Sequence, residues 1–122
     1  MTGIRRFEEI QAWQEARKLM KGIYSLTQTG QFAKDFGLRD QIQRASVSSM
    51  ANIAKGFDCD SNAEFARFLG IARRSVAEVQ SLLYAALDIG YISKETFEEY
   101  FDQALRTKGL IGGFKRSIKK RA

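Results

Sequence analysis

The side chains of this 122-residue chain that could do chemistry are mostly cations. Arg106, Lys108, Lys115, Arg116, Lys119, Lys120 and Arg121 place seven bases after Asp102, the last acid, whereas the first 102 residues hold thirteen bases against fourteen acids. The net charge of +6 is therefore a property of one end. A one-sided basic end at about 106–122 is the footprint of a surface that binds phosphate or another polyanion; its plain alternative is a solvated tail that keeps the protein soluble. Arg39 and Arg44, with Arg67, Arg73 and Arg74 further along, are the remaining bases that could extend such a patch, unless they pair with Glu64, Glu78 or Asp40 at helical spacing. The candidate nucleic-acid-binding residues are accordingly Arg39, Arg44, Arg73, Arg74, Arg106, Lys108, Lys115, Arg116, Lys119, Lys120 and Arg121.

Catalytic chemistry has little to draw on. There is no His, hence no imidazole base. The single Cys, Cys59, excludes a thiolate metal cluster and an intramolecular disulfide, which fits a reducing compartment. Asp58 and Asp60 flank it and disfavour the thiolate a nucleophile needs, and the two carboxylates lack the further oxygen ligands of a calcium loop. Gly112-Gly113-Phe114-Lys115 lacks the strand and the Gly-Lys-Ser/Thr order of a phosphate loop. The residues thus predict no catalytic, cofactor or metal site and a protein that is not an enzyme. Leu110, Ile111, Phe114 and Ile118 alternate with Lys115, Lys119 and Lys120, a pattern that also fits peripheral membrane binding. No segment has the length of a membrane span or a signal peptide, so a cytoplasmic location is expected.

The elements that must position these charges read as helices. The length is that of one compact domain spanning 1–122, its hydrophobic fraction of 44% is enough for a core, and with no Pro nothing forces a break. Ile10, Trp13, Ala16, Met20, Ile23 and Leu26 make one stripe and predict a helix over about 8–27, with Glu8 and Glu9 in its first turn and Trp13 in the core rather than serving as a stacking platform. Phe32 and Phe36 are expected to pin the link that follows. A second helix is expected over about 37–55, with Leu38, Ile42, Ala45, Ser49, Asn52 and Ile53 near one face and Gly56 as its C-terminal glycine. Its small-residue middle, 45–51, suits either ordinary interior packing or a tight helix or subunit contact.

Ser61-Asn62-Ala63-Glu64 matches a capping box that opens a third helix, whose apolar rhythm holds from Phe65 to Ile89 and stops at Gly90. Ser93 caps a fourth, in which Phe97, Phe101, Ala104, Leu105, Ile111, Phe114 and Ile118 form the apolar face; Gly109, Gly112 and Gly113 weaken its last turns unless these are packed. Four such helices with short links predict an all-α, antiparallel up-down-up-down four-helix bundle.

Several blocks carry a resemblance beyond this. Phe7 to Arg17, Phe36 to Ser48, Asn52 to Phe57, and Ser61 to Ile92 with its Asp88-Ile89-Gly90-Tyr91-Ile92 are similar to the signature of the four-helix bundle proteins encoded in intervening sequences of bacterial 23S ribosomal RNA. The resemblance implies a homopentamer-forming bundle. It also implies an architecture related to the accessory variability protein of diversity-generating retroelements, a basic pentameric barrel that binds reverse transcriptase and nucleic acid. Members tend to carry a basic Gly-Arg-Arg-Ser loop where this chain has Asp58-Cys59-Asp60-Ser61, and two carboxylates there repel phosphate. The expected role is a homo-oligomeric bundle that binds nucleic acid, RNA first, and docks a nucleic-acid enzyme such as a reverse transcriptase. The alternative is a protein-interaction adaptor with no nucleic-acid role.

Overall fold

The computed structural model describes residues 3–121, with side chains for residues 3–119. A 3-10 turn at Phe7–Glu9 leads into α1 (Gln11–Thr27), and a second at Phe32–Lys34 leads into α2 (Phe36–Phe57). These are followed by α3 (Asn62–Ile89) and α4 (Lys94–Arg121). Each helix packs on the two that flank it, α1 on α2 and α4, and α3 on α2 and α4.

The order of contacts sets the direction of each pair. Gln41 meets Glu78, Ser48 meets Ser75 and Gly56 meets Phe65, so α2 and α3 run opposite. Gly22 meets Tyr100 and Glu15 meets Arg106, so α1 and α4 also run opposite. Lys108 meets Gln80 while Lys115 meets Gly70, and α3 and α4 run opposite as well. The result is the up-down-up-down four-helix bundle.

Local chemistry explains the boundaries. Asp35 caps α2, accepting from the Leu38 N–H at 3.1 Å, and Tyr91 O–H donates to its other oxygen at 2.8 Å. The Leu38 amide first, and the Tyr91 hydroxyl second, hold the Asp35 carboxyl below its ordinary value. Ser61 Oγ accepts from the Glu64 N–H at 3.1 Å, but the Glu64 carboxylate bonds Arg67 at 2.7 Å, so only half of the expected capping box forms. Gly90 closes α3 at φ 93°, where a residue with a Cβ would be strained. Ser93 Oγ caps α4 through the Thr96 N–H at 3.1 Å.

The core runs through all four helices. It includes Leu19 and Ile23 of α1, Ile42 and Ile53 of α2, Leu69, Val76, Val79 and Leu83 of α3, and Ala104, Ile111 and Ile118 of α4. Trp13 joins it as expected, edge-on to Phe7 with ring centroids 5.1 Å apart. The small-residue middle of α2 is interior on one face only: Ser46 and Ser49 are buried and bond back to Gln43 O and Ser46 O at 2.8 and 2.7 Å, while Val47 is exposed.

Several local expectations are corrected. Residues 7–9 form a 3-10 turn and Ile10 is extended, so Glu8 and Glu9 precede α1 rather than opening it. Phe36 does not pin the link. Its ring is 64% exposed and carries the Arg39 guanidinium 4.6 Å above it, while Phe32 alone is buried. Gly56 does not end α2; the helix continues to Phe57, and Gly56 is buried where α2 touches α3. Ile89 and Leu105 lie at the edges of their stripes and are exposed. Finally, α4 remains helical across its glycines to Arg121, because Ile111 and Ile118 anchor its last turns in the core.

Candidate functional site

The α3–α4 seam is where the cations gather. The span from Asn62 to Gln80 covers about 27 Å at 1.5 Å per residue. At its inner limit Lys108 Nζ donates to Gln80 Oε1 at 2.8 Å. Further out, Arg73 leans from α3 over Gly112, and Arg116 of α4 reaches the same place. Beyond them Lys115 leans from α4 over Gly70, beside Arg74. At the open end Asn62, Ala63, Ala66 and Arg67 face Lys115 and Lys119 across a groove of about 350 Å³. Ala63 and Ala66 supply the α3 side of this groove and Lys115 and Lys119 the α4 side.

The electrostatics of this strip are one-sided. Arg73, Arg74, Lys115, Arg116 and Lys119 form no ion pair or hydrogen bond among the described residues. The two acids of this part of α3 are already engaged: Glu64 holds Arg67 at 2.7 Å and raises its guanidinium further above the ordinary value, and Glu78 accepts from Gln41 Nε2 at 3.2 Å. Five unneutralised cations on facing helix surfaces therefore set up a positive potential that a phosphate chain would lower.

Of the candidate residues, Arg73, Arg74, Lys108, Lys115, Arg116 and Lys119 are brought together here. Arg39 is not. At the start of α2 it bonds Ala33 O at 3.0 Å and Asp40 at 2.9 Å, and stacks on Phe36. Arg44 is exposed on α2 without a partner among the described residues, and Arg106 turns toward α1, 3.8 Å from Glu15. The side chains of Lys120 and Arg121 lie outside the described residues. The floors of the strip, Gly70 and Gly112, are not evident from sequence. The signal available was the 63, 66, 70 spacing of small residues on one face of α3 opposite the glycines of α4.

The other half of the same two helices has the opposite character. Asp88 ends α3, and Glu95, Glu98, Glu99 and Asp102 open α4; none forms an ion pair among the described residues. Between these acids and the cations, Tyr84 is 51% exposed against Phe97 and Phe101, and Leu105 is equally exposed at 51%. The apolar face of the C-terminal stretch is covered: Ile111 and Ile118 are fully buried and Leu110 and Phe114 pack on the core, which leaves little to enter a lipid surface. No described helix is long and apolar enough to cross a membrane. Cys59 donates weakly to Lys55 O at 3.4 Å, and the described residues hold no cluster of potential metal ligands.

Comparison with known proteins agrees with the architecture. A crystal structure of a protein with unknown function from the S23 ribosomal protein family, from Bacteroides thetaiotaomicron, superposes with a TM-score of 0.80 at 22% identity. The match covers 86% of this chain and 95% of that one, a likeness of fold. No curated protein matches the chain. The family model described as 23S rRNA-intervening sequence protein matches residues 8–113, from the 3-10 turn before α1 to the glycines of α4, and the chain therefore belongs to that family.

Proposed function

We propose that this chain is a non-enzymatic bundle that binds nucleic acid, RNA first, along the α3–α4 seam, and that self-association repeats the seam around an axis. The observation that supports the reading best is the cluster of Arg73, Arg74, Lys115, Arg116 and Lys119, on two facing helices and without acid partners among the described residues. Such a cluster reads shape and phosphate rather than base edges, so binding is tolerant of sequence and weakens steeply with salt. The resemblance read from the sequence implies a five-fold ring, in which each contact would be repeated and the affinities would combine. A ring of this kind would serve as a platform for a larger nucleic-acid enzyme such as a reverse transcriptase.

A second reading has its own support. The acidic end formed by Asp88, Glu95, Glu98, Glu99 and Asp102, with exposed Tyr84 and Leu105 beside it, is complementary to the basic end of another copy. A head-to-tail contact between them would build an adaptor ring and cover the cations. One experiment separates the two. Solution mass is measured alongside binding of a structured RNA, for the wild type and for Arg73→Glu/Lys115→Glu. The nucleic-acid reading expects the same oligomer and lost RNA binding; the adaptor reading expects dissociation and no RNA binding to begin with.

A further inference from the structure

Two glycines on the seam are built alike. A Cβ on Gly70 of α3 would stand 3.1 Å from Lys115 Nζ of α4 and 3.7 Å from Arg74 Nη1 of its own helix. A Cβ on Gly112 of α4 would stand 3.4 Å from Arg73 Nε of α3 and 3.5 Å from Arg116 Nη1 of its own helix. Each glycine thus takes one cation from the opposite helix and one from four residues further along its own. The arrangement is reciprocal, and the two sites are three residues apart along the seam, less than one helical turn. Both glycines are buried although their surroundings are charged, because the side chains lying over them exclude solvent.

Backbone geometry does not account for these glycines. Gly is a poor helix residue, and neither glycine here marks a turn or a positive φ. Two like charges converge at each site, within the screening length of about 8 Å at physiological salt, and no carboxylate among the described residues neutralises either pair. Exposed Lys and Arg chains ordinarily spread into water. Here the missing Cβ lets them lie down on the helix surface with their donors close together. A tetrahedral oxyanion bridging each pair would relieve the repulsion and accept charge-assisted hydrogen bonds from both.

We propose that Gly70 and Gly112 are the floors of two adjoining notches, each of which seats one phosphate oxyanion between a cation of α3 and a cation of α4. The inference deepens the nucleic-acid reading, since successive phosphates of one strand would occupy the two notches. It differs from that reading in assigning a specific role to two uncharged residues. Filling a notch leaves the net charge unchanged but moves the donors apart. At Gly70 the obstructing atom is the far end of a flexible lysine, so Gly70→Ala can be accommodated without cost to the fold, and the bulkier Gly70→Leu/Gly112→Leu pair displaces all four cations.

The test uses the full chain and two probes, inorganic pyrophosphate by calorimetry and a structured RNA by fluorescence anisotropy, with circular dichroism and Tm as fold controls. The proposal expects Gly70→Ala to weaken pyrophosphate binding about three-fold and the double Leu variant about ten-fold or more, with helicity and Tm retained. Parallel losses with RNA identify the strand backbone as the phosphate source; losses with pyrophosphate alone identify a small polyphosphate. If both variants fold and bind both probes as tightly as the wild type, the notches do not exist as proposed. Should the Leu pair lose its fold, Gly70→Ala alone decides. Failure of the broader reading would look different, as a wild-type protein that binds pyrophosphate but ignores RNA.

Discussion

Gly56 of α2 lies directly against Phe65 of α3: a Cβ added to the glycine would stand 2.8 Å from Phe65 Cδ1 and 3.2 Å from its carbonyl oxygen. Phe68 Cβ would be 2.9 Å away, so the new methyl would meet atoms that cannot swing aside. In an isolated helix Ala would be favoured over Gly by about 1 kcal/mol, yet overpacking a fitted contact costs about 1–3 kcal/mol. Gly56→Ala is therefore expected to destabilise the protein by up to about 2 kcal/mol, the net of the two. Urea denaturation of the variant beside the wild type checks this. Gly70→Ala, whose obstruction is a lysine tip, should show no such loss.

The end of α4 supplies a second prediction. Three glycines between Gly109 and Gly113 would let a solvated helix fray, but Ile118 beyond them is fully buried. Ile118→Ala should cost about 2–5 kcal/mol, as other buried aliphatic truncations do. A change below about 0.5 kcal/mol in thermal or chemical unfolding, the size usual for exposed positions, would mean that these last turns are not docked.

Across the α2–α3 contact, Ser48 and Ser75 share a hydrogen bond of 2.8 Å, and Asn52 Nδ2 donates to Ser48 Oγ at 3.0 Å. The two serines should be coupled. A double-mutant cycle over Ser48→Ala and Ser75→Ala is expected to return about 0.5–1.5 kcal/mol of interaction energy. Additive single effects would show that the bond contributes no net stability.

Asp35 gives a pH dependence of definite sign. Its folded pKa lies below the ordinary aspartate value, held down first by the Leu38 N–H and then by the Tyr91 hydroxyl. The stabilisation is therefore present above the unfolded value of about 3.9 and is lost as pH falls through the lower folded value. Asp35→Asn should be less stable than the wild type at neutral pH, and the two unfolding curves should converge in acid. A gap that persists undiminished well below pH 4 would mean that the charge of Asp35 is not what α2 uses.

Much of the fold was legible because single residues announce it. Ser61 marks the start of α3, Gly90 its left-handed end and Ser93 the start of α4, all through local hydrogen bonds or φ angles that a sequence can encode within four residues. Gly56 misled because a terminating glycine and a close-approach glycine look the same until the opposing Phe65 is known. Ile89 and Leu105 misled because helical periodicity locates the centre of an apolar stripe better than its margins. The cations followed the same rule. The bias toward the C-terminus was visible in composition, but which arginines join it depended on the antiparallel pairing of α3 with α4. That pairing brings Arg73 and Arg74 beside Lys115 and Arg116, while Arg39 is occupied by Ala33 and Asp40.

The salt dependence of RNA binding tests the central claim most directly. For the wild type, the logarithm of the association constant with a structured RNA should fall linearly with the logarithm of salt concentration. In Arg73→Gln/Lys115→Gln, affinity at low salt should drop, and the slope should become shallower by about 0.7–0.9 for each phosphate that a bound copy no longer neutralises. An unchanged slope and affinity in that variant, with its fold intact, would contradict the assignment of phosphate binding to the α3–α4 seam.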